Sequence, residues 1–137
     1  AIGIGETNPH LIPELVKQLK LNVNKIEVGN TFPKRDYIDI RDISRAITEL
    51  IFNNTNYELH DIYNIGSGKA HSVEEVLSTL IKISGVDCKV IQDKTRMRSV
   101  DRPYLVSDIS KFNSITGWEP KNSFEESMRF LYENPQI

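Results

Sequence analysis

Helix-period and strand-period patterns alternate along this 137-residue chain, and the alternation limits its architecture more than any single residue does. Ile43, Ala46, Ile47, Leu50 and Ile51 fall at i, i+3, i+4, i+7 and i+8, which predicts a helix over residues 42–52 with one apolar face. Val73, Val76, Leu77, Leu80 and Ile81 predict another. It opens at a capping box, Ser72-Val73-Glu74-Glu75, and ends at Gly85. Ser123-Phe124-Glu125-Glu126 is a second capping box, before a helix with Phe124, Met128 and Leu131 inside. A helix near the start has Pro13 and Glu14 in its first turn and buries Leu15, Val16 and Leu19. Asp108 can cap a short helix ending at Gly117. Short strands are expected at 25–28, where Ile26 and Val28 alternate with Lys25 and Glu27, and at 36–40, 62–65 and 89–91. Residues 93–103 have no period and read as a loop. About five helices among short strands make an α/β fold. Only the stretch 62–65 reads as buried on both faces, and one such strand cannot form a full doubly wound sheet. Ala1-Ile2-Gly3-Ile4-Gly5 reads like the end of a strand entering a turn. Residues 1–137 are therefore expected to be a single region, a fragment of a larger protein.

Composition excludes several classes. A net charge of −2 argues against a nucleic-acid binder. No apolar run approaches the roughly 18 residues of a membrane span. Cys88 stands alone, so an internal disulfide is impossible, which fits a reducing cytoplasmic setting.

The chemistry-bearing residues are mainly cationic. Gly29 to Asp42 runs Gly-Asn-Thr-Phe-Pro-Lys-Arg-Asp-Tyr-Ile-Asp-Ile-Arg-Asp, which places Lys34 and Arg35 in a proline-marked loop ahead of a short strand. A second basic loop carries Arg96, Arg98, Asp101 and Arg102. Fixed guanidinium groups in two loops flanking one α/β unit suit a phosphate or diphosphate. Asp36 or Asp39 could orient Arg35, and Asp101 could orient Arg98. Other motifs are missing. Gly3-Ile4-Gly5 lacks the third glycine of a dinucleotide turn, and Gly66-Ser67-Gly68-Lys69-Ala70 lacks parts of a P-loop, so both read as tight turns. His10, His60 and His71 have no ligand-spaced companions for zinc. No Gly-x-Ser-x-Gly elbow and no Tyr-x-x-x-Lys pair occurs. Tyr37, Tyr63 and Tyr104 read as half-buried packing residues, and Trp118 as a plug between the last two helices.

Taken in order, these segments resemble the C-terminal, substrate-binding part of the NAD(P)-dependent nucleotide-sugar epimerase/dehydratase family, the extended short-chain dehydrogenases. The matching pieces begin with residues 3–13, then Ile26-Glu27-Val28-Gly29 with Arg35 to Asp42. Tyr63 to Gly68 with Ser72 to Glu75 follows, then Arg98-Ser99-Val100-Asp101, Asp108 to Lys111, and Gly117-Trp118-Glu119-Pro120 with Ser123 to Glu126. Within the family, residues 29–36 look most like GDP-mannose 4,6-dehydratases and the related 4-keto-6-deoxymannose reductases.

The resemblance implies the C-terminal part of a Rossmann-type fold, without the N-terminal dinucleotide-binding sheet. It implies that Arg35 and Arg98 contact a nucleotide diphosphate, with Lys34 beside them and Asp101 where the ribose lies. Ile26 and Val28 would line the base pocket, and His10 and Leu11 a substrate-contacting loop. Arg96 and Arg102 have no counterpart and are expected to be solvated. NAD or NADP would serve the intact parent and none would be bound by this chain alone, so no catalytic residue is assigned to it. The expected partners are a nucleotide-diphosphate sugar and the missing half of the same protein. Self-association could cover exposed apolar surface, and neither nucleic acid nor membrane is expected. Dehydratase, 4-keto-6-deoxy sugar-nucleotide reductase and UDP-sugar 4-epimerase activities stay open. So does a stand-alone, non-catalytic module for protein interaction or sugar-nucleotide sensing.

Overall fold

The computed structural model describes residues 1–6, 10–21, 24–52, 61–97 and 101–134. Five helices, α1 (Leu11–Lys20), α2 (Ile40–Phe52), α3 (Val73–Ser84), α4 (Ser110–Thr116) and α5 (Phe124–Glu133), alternate with five short strands. The strands are β1 (Lys25–Val28), β2 (Lys34–Asp36), β3 (Ala70–Ser72), β4 (Lys89–Gln92) and β5 (Tyr104–Leu105). β1 and β4 pair in parallel, with Ile26 opposite Val90. In the second sheet β2 is central, antiparallel to β3 and parallel to β5. Ile2 bridges Asp39 in parallel, its N–H 2.7 Å from the Ile38 carbonyl.

The larger core lies between α1, β1, α3 and α5. Leu15, Val16, Leu19, Ile26, Val76, Leu80 and Met128 are at most 1% exposed there. The predicted helix faces supply all of these but Ile26, which comes from the buried face of β1, and the 3.6-residue period brings the helical ones to one side. Gly85 and Gly117 close α3 and α4 in the left-handed conformation, at φ 67° and 69°, where a side chain would be strained. Ser123 and Glu126 form the reciprocal capping box expected for α5. At α3 only half of the box forms. Ser72 accepts from the Glu75 N–H, but the Glu75 carboxylate turns to His71 Nδ1 at 2.9 Å instead.

A smaller cluster joins Ile38, Ala46, Phe112 and Trp118. Trp118 does not plug the gap between the last two helices. It packs between α4 and α2, its ring centroid 5.4 Å from that of Phe112.

Three strand expectations change. Lys34 and Arg35 lie in β2 rather than in a loop, because β3 and β5 supply hydrogen-bonding edges on both sides of them. Residues 62–65 form no strand, and Ile62 is 82% exposed, since no described strand offers them a ladder. Pairing instead falls on Ala70–Ser72 and Tyr104–Leu105. Tyr104 is exposed rather than half-buried. Helix α2 starts two residues earlier than its periodicity indicates. The end of that helix at residues 53–56, His60 and Arg98 lie outside the described residues.

Candidate functional site

A cleft of about 360 Å³ opens beside the larger core. One wall is α1, which presents His10, Leu11, Glu14, Leu15 and Gln18. These positions share one side of the helix, by the same period that turns Val16 and Leu19 inward. The end of β1 adds Glu27, Val28 and Gly29, β2 adds Arg35, and Arg96 and Asp101 come from the segments after β4.

Arg35 is the most constrained charge in the cleft. Its guanidinium forms an ion pair with the Asp101 carboxylate and donates to the carbonyls of Lys34 at 2.8 Å and Arg102 at 2.7 Å. A guanidinium carries five N–H donors in a planar fork, so three donors fix the group and two have no acceptor among the described residues. Burial reinforces the geometry: the Arg35 and Asp101 side chains are 27% and 20% exposed. The orienting carboxylate is thus Asp101, 66 residues away, and neither Asp36 nor Asp39 serves Arg35.

Those two aspartates have structural work. Asp36 accepts from the Ser67 N–H at 2.8 Å, the Ser67 hydroxyl at 2.5 Å, and the N–H groups of Gly68 and Ser107, both at 3.1 Å. The turn at residues 66–68 is therefore folded around a carboxylate. A Cβ at Gly66 would lie 2.3 Å from Ser107 Cβ, so close packing requires glycine there. Asp39 pairs with Arg41 at 2.6 Å and also accepts its backbone N–H at 2.8 Å. Burial alone would push the Asp39 carboxyl up, but these bonds outweigh it and hold its pKa below the ordinary value.

Behind β2, His71 sits opposite Arg35 in the ladder and stacks on Phe124, with centroids 3.9 Å apart. Tyr37 packs on the same Phe124 ring at 6.0 Å. Burial raises the Tyr37 phenol pKa, against the opposing pull of the Arg35 charge, so the phenol stays neutral near pH 7. The wall carrying Arg35 is therefore backed by an aromatic layer.

Of the residues singled out from sequence, His10, Leu11, Val28, Arg35 and Asp101 meet in this cleft. Ile26 does not: it is fully buried in the core, while Val28 on the same face of β1 reaches the cleft from the strand's end. Lys34 is exposed and outside the cleft lining. Sequence reasoning overlooked Glu14, Gln18, Glu27 and Arg96. Arg96, expected to be solvated, enters the cleft because its backbone crosses Gly29. A Cβ on Gly29 would lie 2.4 Å from the Arg96 carbonyl oxygen. The available signals were the i, i+4 polar pair Glu14 and Gln18 on α1, and the glycine at the end of β1.

Among the described residues no acidic, histidine or cysteine cluster is arranged for a metal, and no helix is long and apolar enough to cross a membrane.

Comparison with known proteins gives this architecture relatives. The family model for GDP-mannose 4,6 dehydratase matches residues 4–131. The chain is 27% identical over 135 residues to GDP-6-deoxy-D-mannose reductase of Pseudomonas aeruginosa, covering 95% of this chain and 43% of the reductase. It is 30% identical over 138 residues to GDP-6-deoxy-D-talose 4-dehydrogenase of Aggregatibacter actinomycetemcomitans, covering 97% and 45%. The solved structure of RMD from Pseudomonas aeruginosa complexed with NADPH superposes with a TM-score of 0.86 at 25% identity, over 97% of this chain and 44% of that one. The chain thus spans less than half the length of these relatives. With short strands and five helices in the order of an extended short-chain dehydrogenase, and a family match across nearly its whole length, the chain belongs to the GDP-mannose 4,6 dehydratase family of NAD(P)-dependent nucleotide-sugar enzymes.

Proposed function

We propose that this chain is the nucleotide-diphosphate-sugar-binding portion of an NAD(P)-dependent sugar-nucleotide enzyme of the GDP-mannose 4,6-dehydratase type, with catalytic groups supplied from outside these residues. The observation that carries the reading is Arg35, fixed in the cleft wall by three acceptors with two donors left over. That arrangement suits a diphosphate, which offers several anionic oxygens to a planar fork. Asp101 serves twice, as the anchor of Arg35 and as an acceptor for a ribose hydroxyl. Val28 gives the base an apolar contact, and His10 and Leu11 face the sugar. Arg98 is the second diphosphate arginine in this reading, a role that rests on its position in the sequence.

The chain's own residues do not fit the nicotinamide cofactor. Gly3-Ile4-Gly5 lacks the third glycine of a dinucleotide turn, and Gly3 and Gly66 are in close contact with Ile40 and with Ser107 and Asp36. No Tyr-x-x-x-Lys pair occurs in the sequence. Binding energy from the diphosphate would instead hold the sugar for chemistry done by groups elsewhere in the enzyme. Relatives acting on GDP-6-deoxy sugars favour a 4-keto-sugar reductase or dehydratase over a UDP-sugar epimerase.

Titration of GDP into the full-length protein tests this reading. Arg35→Ala should weaken GDP by about ten- to a hundred-fold, the loss expected for one charged hydrogen bond. Arg35→Lys should recover only part of it, because a point charge cannot fork. Equal affinity in wild type and Arg35→Ala would remove the diphosphate assignment.

A further inference from the structure

The two edges of the β1–β4 sheet are finished differently. On the β1 side, Gln18 Oε1 accepts from the Glu27 N–H at 3.4 Å, so α1 covers that edge. β4 ends the sheet on the other side, with no further strand beside it among the described residues. The Lys89 and Asp93 N–H groups donate to the Asn24 and Val28 carbonyls at 3.0 Å and 2.7 Å. Strand alternation turns Ile91 toward β1 as well, and leaves the backbone groups of Val90 and Gln92 pointing outward. The side chains of β4 are exposed along its whole length, Val90 and Ile91 included. Proline, a bulge or charge normally blunts such an edge, and of these β4 carries only the charge of Lys89.

We propose that β4 pairs with β4 of a second copy of this chain, antiparallel across a two-fold axis, and so extends each two-stranded sheet into one of four strands. In an antiparallel ladder, residues whose backbone groups face outward must stand opposite one another. Two registers that obey this rule overlap β4 most fully. The first sets Val90 opposite the second copy's Val90. It also sets Asp87 opposite Asp93 at both ends, and like charges directly opposite destabilise a sheet. The second sets Val90 opposite Gln92. Ile91 then meets its own counterpart on the axis, and Lys89 falls opposite Asp93 twice. Charge therefore selects the second register, and it selects a second copy as the occupant, because the strand is complementary to itself. Ile91 stands there in a non-hydrogen-bonded pair, where facing side chains come closest, and its exposed surface is covered. The Asp93 side chain is 28% exposed and its Oδ2 lies 3.5 Å from Arg96 Nε, which leaves that oxygen room for a lysine. A contact of one short strand is small, so the pairing is reversible and depends on concentration.

Sedimentation equilibrium of the full-length protein reads this pairing as a concentration-dependent doubling of mass. Lys89→Asp sets like charges opposite at both ends and should weaken the association at least about ten-fold. Asp93→Lys should do the same. An equimolar mixture of the two variants should recover it, because each supplies the charge that the other lacks. Gln92→Pro, which removes an outward N–H and spares the ladder to β1, should also weaken it. Under mild oxidation Ile91→Cys should link two copies through a disulfide, since the two positions face each other within reach, and Lys89→Cys should not. Failure of either the cross-link or the recovery overturns the proposal. Without the cross-link, the β4 edge is bare or covered by another part of the enzyme. Without recovery in the mixture, the register selected by charge does not exist.

Discussion

The two cores of this molecule are held by different forces. The larger core, between α1, β1, α3 and α5, is closed: its central side chains are almost fully buried and mostly aliphatic. The smaller one, under α2 and α4, is open. Ala46 is fully buried, yet Ile47, Ile51 and Phe52 on the same helix are 47%, 63% and 77% exposed. Trp118 Nε1 is buried with no hydrogen-bond partner among the described residues. What fixes α2 is polar. Asp42, with no exposed surface, pairs with Arg45 at 2.6 Å and accepts from the N–H groups of Lys121 at 3.1 Å and Asn122 at 3.0 Å. One carboxylate thus ties α2 to the segment between α4 and α5. Where apolar burial is incomplete, a satisfied buried charge holds the geometry. The cleft is built on the closed side, which gives Arg35 and Glu27 a firm base.

This contrast can be broken at its strongest point. Asp42→Ala should cost about 3–5 kcal/mol, because it strips two backbone N–H groups of their acceptor and takes the carboxylate from Arg45, at about 1–3 kcal/mol for each group left unpaired. Denaturant unfolding would measure it, and a loss under about 1 kcal/mol would show that α2 is held by something else. On the closed side, Leu80→Ala should cost about 2–5 kcal/mol through lost burial and the cavity left behind. Ile51→Gln, on the exposed stripe of α2, should stay within about 0.5 kcal/mol in this chain. A large loss at Ile51 would mean that a partner or a second copy covers the stripe in solution.

Acid should separate the two regions more gently. Burial alone would raise the Asp42 pKa, but the Arg45 bond and the Asn122 and Lys121 N–H groups overcome it and set it below the ordinary carboxylate value. Asp39 is lowered likewise. Both groups are therefore ionised more readily folded than unfolded. Their contribution is fully present above an unfolded pKa of about 3.9 and is lost as pH falls through the lower, folded values. Amide exchange in α2 should accelerate below about pH 4 while α3 stays protected. Simultaneous loss of protection in both helices would refute separate anchoring.

Much of the architecture was legible as pattern. The helix stripes, the alternation at residues 25–28, the two serine caps and the glycine stops depend on neighbours a few residues apart, and local physics decides them. The family resemblance was legible for a related reason, since it rests on short motifs in order. The stretch 62–65 misled because an apolar run states a preference for burial, not the presence of a partner strand. Arg96 and Glu27 were passed over because neither stands in a motif.

The sequence by itself determined that cationic groups would gather near two loops, and its family resemblance made Arg35, Arg98, Asp101, Val28, Ile26, His10, Leu11 and Lys34 candidates for one site. Tertiary structure decided the pairings. Arg35 meets Asp101 across 66 residues because β5 runs parallel to β2 and brings the chain before it alongside. Asp36 turns away to the turn at residues 66–68, Ile26 goes into the core, and Arg96 enters the cleft over a glycine that leaves room for its carbonyl. A side chain's type depends only on its own residue, but its partner depends on which strand edge lies beside it, and strand order is set by long-range packing.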